Sequence, residues 1–264
     1  MSTDSLSLVN KVAIVTGSGR ENGIGAGIAL ALAKAGARVT INYVSETSAP
    51  RAAQVVSNIE AAVGKGVAAS VRADVSTPEG SRKIVDETLR SFGVDHIDIV
   101  VNNASYMVPG GALQTSSEDM IKSFQVAVVG PVLLLQASYP YMPRHARIVN
   151  IGSVASKMGF HQMAIYGAVK AAMDQLTWTL AQEVGRDGKN ITVNTVAPGP
   201  TLTDTLPPVP EVEPMKNFLL SRTRAAERVT AVEDVADTVL LLASEKGRWI
   251  TGQFISASGG INGG

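Results

Sequence analysis

Apolar positions along the chain fall into two kinds of stretch that take turns. Short runs rich in β-branched residues lie at 11–16 (KVAIVT), 38–43 (RVTINY), 67–72, 97–101, 147–151, 191–196 and 253–256. Runs of that length and composition predict buried strands. Between them lie longer stretches with apolar residues at three- and four-residue spacing, at 23–35, 50–62, 78–92, 117–142, a stretch through Tyr166 to about 184, and 232–243. That spacing predicts helices. Strands that alternate with helices of this length call for a parallel sheet covered on both faces, hence an α/β, doubly wound fold. No short repeat or linker divides the pattern, so 1–264 is expected to form one domain, with 1–9 as an N-terminal tail. Ligands of such sheets bind at the carboxyl ends of the strands, where the strand order reverses.

Composition narrows the functional classes. The 23 basic and 23 acidic residues balance, which leaves no electrostatic footprint for nucleic acid or a membrane surface. Cysteine is absent, which excludes disulfides and thiolate metal sites. His96, His145 and His161 are scattered, so no metal centre is expected. The start, MSTDSLSLVNK, has no signal-peptide core, and the longest apolar run, near 126–135, is too short to span a bilayer. A soluble cytoplasmic protein is the expectation.

Candidate chemistry concentrates at 153–170. Tyr166 and Lys170 stand four apart, on one helical face, and Ser153 precedes them. A nearby ammonium favours phenolate over phenol, and a hydroxyl such as Ser153 can hold a carbonyl oxygen while the phenol gives or takes its proton. A second candidate follows the first strand. Thr16-Gly-Ser-Gly-Arg-Glu-Asn-Gly-Ile-Gly25 places glycines where a backbone can approach a pyrophosphate at a helix N-terminus.

Thr16-Gly17, Gly23-Ile24-Gly25, Asn102-Asn103-Ala104, Ser153, Tyr166-x-x-x-Lys170 and Ala197-Pro198-Gly199 occur in the order and places of the short-chain dehydrogenases/reductases. The resemblance covers the chain from about residue 10 onward. It implies a Rossmann fold with a seven-stranded parallel sheet. It also implies Tyr166 as general acid or base, Lys170 on the nicotinamide ribose and favouring the phenolate, and Ser153 on the substrate oxygen. The turn Gly17-Ser18-Gly19-Arg20 and the pair Asn42-Tyr43 resemble the NADP(H)-dependent reductases of polyhydroxynaphthalenes and related polyketides. Three departures stand out. Five residues separate Gly17 from Gly23 where the family has three, so the loop is expected to bulge; Ser105 replaces a glycine; and Ala127 stands where the family has an asparagine that holds a proton-passing water.

The cofactor expectation is NADP(H). Tyr43, not a carboxylate, ends the second strand, Arg20 can pair with a 2′-phosphate and Ser45 can add a hydroxyl, while Glu46 carries the opposing charge. Asp74-Val75 resembles the family's adenine-binding pair, and Asp74 reads equally well as a helix cap. Asn103 and Ala104 close the fourth strand beside the dinucleotide. Pro198, Gly199, Thr201 and Thr203 flank the nicotinamide by resemblance. The region of about 201–225, with LPPVPEVEP at 206–214 too proline-rich for a regular helix, is expected to be a substrate lid. Tyr106, Met107, Met158, Phe160, His161 and Met163 suggest an apolar pocket for a bulky carbonyl substrate, with His161 as pocket wall or extra acid. Apolar residues around the two long helices suggest a homo-oligomer, a tetramer or dimer. The function expected is NADPH-dependent ketone reduction on a polyketide-like molecule of secondary metabolism. The alternatives are a non-redox isomerase or cyclase, prompted by Ala127, and a cofactor-binding protein without turnover.

Overall fold

The computed structural model describes residues 6–108, 110–204 and 213–262. Seven parallel strands form one sheet in the order β3-β2-β1-β4-β5-β6-β7. They are β1 (Val12–Val15), β2 (Arg38–Tyr43), β3 (Ala68–Arg72), β4 (Ile99–Asn102), β5 (Arg147–Ile151), β6 (Thr192–Pro198) and β7 (Phe254–Ala257). The helices are α1 (Ile24–Lys34), α2 (Ala49–Val63), α3 (Pro78–Phe92), α4 (Ser117–Phe124), α5 (Gly130–Ser138), α6 (Ala164–Gly185), α7 (Glu213–Leu220) and α8 (Val232–Ala243).

Alternation along the strands sorts two cores. Ala13, Val15, Val39, Ile41, Val101 and Val149 face α1, α2 and α8, whereas Ile14, Val100, Ile148 and Val193 face α3, α5 and α6. Because strand side chains alternate with period two, each interior strand feeds both layers. The order reverses between β1 and β4, which opens a crevice at their carboxyl ends.

Three expectations change. The tail is shorter than 1–9: Leu8 is buried, its N–H donates to the Ala35 carbonyl, and Val9 packs over Gly36 at the end of α1. Glu213 and Pro214, expected as irregular chain, open α7, because proline is tolerated in a first helical turn; residues 205–212 lie outside the described residues. The apolar run near 126–135 belongs to a longer helical stretch, Ser117–Tyr141, which by length and composition is enough to cross a membrane. That stretch packs as a layer of the sheet, against α3 and α6.

This stretch is not a plain α-helix. A π turn at Gln125–Val129 joins α4 to α5, and the Gly130 N–H reaches back to the Gln125 carbonyl. Pro131 supplies the cause: it has no N–H to offer, and its ring would collide with the carbonyl four residues earlier, so the backbone widens there.

Candidate active site

The loop after β1 is shaped by what glycine permits. Gly17 has φ +61°, and a Cβ there would lie 2.8 Å from the Ala104 Cα. Asn42, at the end of β2, accepts the Gly17 N–H at 3.3 Å and donates to the Val71 and Ala73 carbonyls. The Asn103 amide donates to the Thr16 and Gly17 carbonyls, both at 2.9 Å. Asn103 thus braces the glycine turn, and Ala104 forms the wall that Gly17 abuts. Gly25 admits the same amide: a Cβ would stand 2.6 Å from the Asn103 Nδ2. Gly23 caps α1 with no side-chain hydrogen bond, and Ile24 and Gly25 open its first turn, where backbone amides have no partner within the helix. The turn therefore has the narrow backbone cradle and open helix N-terminus that a pyrophosphate needs.

The two additional residues are pinned rather than bulging freely. Arg51, on α2, bonds Glu21 at 2.5 Å and Asp204 at 2.5 Å, and the Asn22 amide reaches Asp204 at 3.4 Å. Arg51 holds the Asp204 carboxyl below the ordinary range. This clasp joins the glycine loop, α2 and the chain after β6, and neither Arg51 nor Asp204 was expected from the sequence.

Around the adenosine end, Arg20 is exposed and makes no ion pair among the described residues. Tyr43 is half-buried under Gly19, whose Cβ would come within 2.7 Å of the Tyr43 Cβ. Glu46, the opposing charge, is paired to Arg72 at 3.1 Å. The Ser45 hydroxyl accepts the Thr47 N–H and caps a short turn. Asp74 closes a turn on Ser76, and it is Thr77, not Asp74, that caps α3. Val75 turns its side chain into the core against Gly130, and its carbonyl accepts the Ser81 hydroxyl.

Past β6, Pro198 and Gly199 sit at the strand end, and Gly199 is hemmed by Thr230 and Ser258. Thr201 departs from expectation: it is buried, donates to the Gly199 carbonyl and pairs with Thr230, so its hydroxyl serves the turn. Thr203 is half-buried beside it.

Ser153, Tyr166 and Lys170 come together at the carboxyl end of β5. Ser153 is extended and caps the 3-10 turn Val154–Ser156 by accepting the Ala155 N–H. The Tyr166 phenol is pushed up by burial, and the Ser153 hydroxyl acts the other way. Lys170 is 3% exposed, donates to the Ile151 carbonyl at 2.8 Å, and stands 5.8 Å from the Tyr166 ring centre. Burial lowers it to about 8, and Asp174 opposes that fall. The expectation of a favoured phenolate is therefore corrected. Desolvation is the leading influence and raises the phenol, against the direction that a nearby ammonium alone would give.

Ala127 is fully buried and packs with Val169 and Met173. The position of the family's asparagine is an apolar contact with α6. Of the pocket candidates, Met158, Phe160 and Met163 are half-buried, and Met107 and His161 are exposed. Tyr106 is tied down by Asp119 at 2.8 Å, with Lys122 over its ring at 4.6 Å.

Comparison with known proteins agrees with this fold. A family model described as enoyl-(acyl carrier protein) reductase matches residues 17–262. The short-chain dehydrogenase/reductase FrzI of a Cladobotryum species is 37% identical over 97% of each chain. Versicolorin reductase 1 of Aspergillus parasiticus is 35% identical over 98% of each. Among solved structures, the angucycline C-6 ketoreductase LanV with bound NADP superposes with a TM-score of 0.87 at 34% identity, over 97% of this chain and 96% of that one. The chain is an oxidoreductase-type Rossmann protein and belongs to the short-chain dehydrogenase/reductase family. Its relatives include reductases of polyketides.

Proposed function

We propose that the protein is an NADPH-dependent ketoreductase acting on a bulky, polyketide-like carbonyl compound. The observation that carries this reading is the meeting of Ser153, a protonated Tyr166 and Lys170 beside a glycine cradle whose second strand ends in Tyr43. NADPH bound in that cradle supplies the hydride. Gly17, Gly23, Ile24 and Gly25 would hold its diphosphate, Arg20 and Ser45 its 2′-phosphate, and Asp74 and Val75 the adenine. Pro198, Gly199 and Thr203 flank the nicotinamide. With Glu46 neutralised by Arg72, the extra phosphate meets no unpaired carboxylate from that turn.

Ser153 orients the substrate oxygen, and Tyr166 gives it a proton as the carbonyl carbon is reduced. Lys170 stays close to its titration midpoint and returns a proton to the phenolate. Met158, Phe160 and Met163 keep that corner apolar and exclude water. Exposed Ile121, Phe124 and Val129 on the outer face of the α4–α5 stretch fit pairing of subunits.

The test begins with calorimetric titration by NADPH and by NADH. NADPH is expected to bind at least tenfold more tightly. A panel of polycyclic ketones and quinones is then followed by loss of NADPH absorbance. Tyr166→Phe is expected to lower turnover by two orders of magnitude or more, with NADPH affinity unchanged. Unaltered turnover removes Tyr166 as the acid. The apolar packing of Ala127 favours a second reading, a non-redox isomerase or cyclase. Product formation without stoichiometric NADPH consumption would select it.

A further inference from the structure

Asp174 lies one turn beyond Lys170 on α6, so the two side chains leave the same face of the helix. Its side chain is 7% exposed. One carboxylate oxygen, Oδ2, meets the Ser156 hydroxyl at 2.6 Å and the Lys157 ammonium at 3.6 Å. The other, Oδ1, is buried without a hydrogen-bond partner. Oδ1 lies against Gly152, where a Cβ would stand 3.3 Å from it. Gly152 separates Ile151, whose carbonyl anchors Lys170, from Ser153. A single carboxylate therefore sits under the peptide that links the lysine's anchor to the serine. An unpartnered buried carboxylate oxygen is destabilising, and its presence at this point calls for a chemical reason. Ala127 packs in an apolar cluster with Val169 and Met173 of α6, and its own side chain offers no polar atom. Asp174 acts on Lys170 through its charge, and its Oδ2 meets both Ser156 and Lys157, the latter 42% exposed.

We propose that Asp174 is the positioning residue that keeps Lys170 charged and passes it protons from solvent, in place of the route that Ala127 has closed. The inference rests on the ketoreductase reading. In each cycle Tyr166 loses one proton to the product alkoxide, and the Lys170 ammonium restores the phenol through a bridging hydroxyl or water. The Asp174 carboxyl restores the ammonium through a water that Oδ1, which has no protein partner, is free to hold, and solvent restores the carboxyl by way of Ser156. One proton enters per turnover and no electrons move along the path. Burial raises the Asp174 carboxyl and lowers Lys170, which brings their proton affinities together, as exchange requires. The charged groups facing Asp174 are Lys157, from the turn after β5, and Lys170, from its own helix; Thr195 of β6, beside Gly152, is neutral.

Asp174→Asn keeps the size and an oxygen for Ser156 but can neither hold the charge nor exchange the proton. Two readouts test it. The first needs no substrate: Lys170 is titrated by NMR in protein carrying [ε-13C]lysine, its signal assigned by Lys170→Met. The variant is expected to lower the proton affinity of Lys170 at least threefold. The second uses 9,10-phenanthrenequinone as carbonyl probe. Steady-state kcat is expected to fall at least tenfold, while the first turnover in stopped flow and the KM stay within twofold. Asp174→Glu is expected to restore most of the lost turnover. An unmoved lysine titration overturns the proposal, whatever the activity. Equal slowing of the first and later turnovers overturns the relay and leaves Asp174 a structural role. A shifted titration in a protein whose wild type reduces no carbonyl probe counts instead against the ketoreductase reading. Should the asparagine variant fail to fold, the glutamate variant carries the same titration: its lysine midpoint stays within twofold of wild type if the charge is what matters, and an affinity lowered threefold or more overturns it.

Discussion

Replacing Lys170 by methionine tests the electrostatics of the site without any ligand. Burial takes this lysine from 10.5 down to about 8. Below pH 8 the folded and unfolded chains both carry the ammonium, and the folded chain carries it at a penalty. At about 1.4 kcal/mol per pH unit, that penalty is about 3 kcal/mol. The sign follows from which state releases the proton first. As pH rises from 8 to 10.5 the folded lysine becomes neutral while the unfolded one stays charged, so the penalty is relieved and stability rises. Linkage over pH 7 to 9.5 gives a gain of about 2 kcal/mol for the wild type relative to Lys170→Met. Urea unfolding of both proteins at matched concentration measures this as a pH-dependent gap between their free energies. Groups that do not feel Lys170 titrate equally in both chains and cancel, and the Asp174 carboxyl, which Lys170 lowers, is removed from the comparison by repeating the pair in an Asp174→Asn background. A gap that stays flat with pH, or moves the other way, refutes the buried ammonium.

Gly17→Ala forces a side chain into a left-handed backbone and against the Ala104 Cα, so a loss of about 1–3 kcal/mol in stability and at least tenfold in NADPH affinity is expected, read by melting and calorimetry. Arg20→Ala is expected to weaken NADPH about tenfold or more and leave NADH unchanged; equal losses for both would remove Arg20 from the 2′-phosphate. Asp98 is buried, accepts the Val12 N–H at 2.9 Å and pairs with Lys11 at 2.9 Å. Asp98→Ala strands that amide and is expected to cost about 1–3 kcal/mol in denaturant unfolding, with cofactor affinity intact.

The seven strands were legible because β-branched runs between glycines have few alternatives, and the Ser153, Tyr166 and Lys170 cluster was legible because its spacing fits one helix face. What escaped depends on burial or on distant partners. The tie from Asn22 to Asp204 spans 182 residues, and no local pattern announces it. Asp174 was visible four places after Lys170, yet nothing in the sequence distinguishes a buried carboxylate from a solvated one. Thr201 matched a familiar turn but is consumed by its own backbone and by Thr230. The phenol's direction was misjudged for the same reason: proximity to a lysine can be read from spacing, whereas desolvation requires the fold. The π turn followed from Pro131, a residue whose effect depends on the helix that surrounds it.

The Glu21–Arg51–Asp204 contacts have a consequence for the order of events at the crevice. They harness the glycine turn, which we propose meets the diphosphate, to the chain leaving β6, so these two segments move as one load. Anything that stiffens the first stiffens the second, and reciprocity requires the influence to run equally in both directions. Dinucleotide should therefore sharpen the affinity for the carbonyl compound by the same factor as the reverse. Because the ion pairs are partly exposed, that mutual reinforcement should fade in molar salt. Cutting the harness with Asp204→Ala should speed NADPH departure and make the two bindings independent.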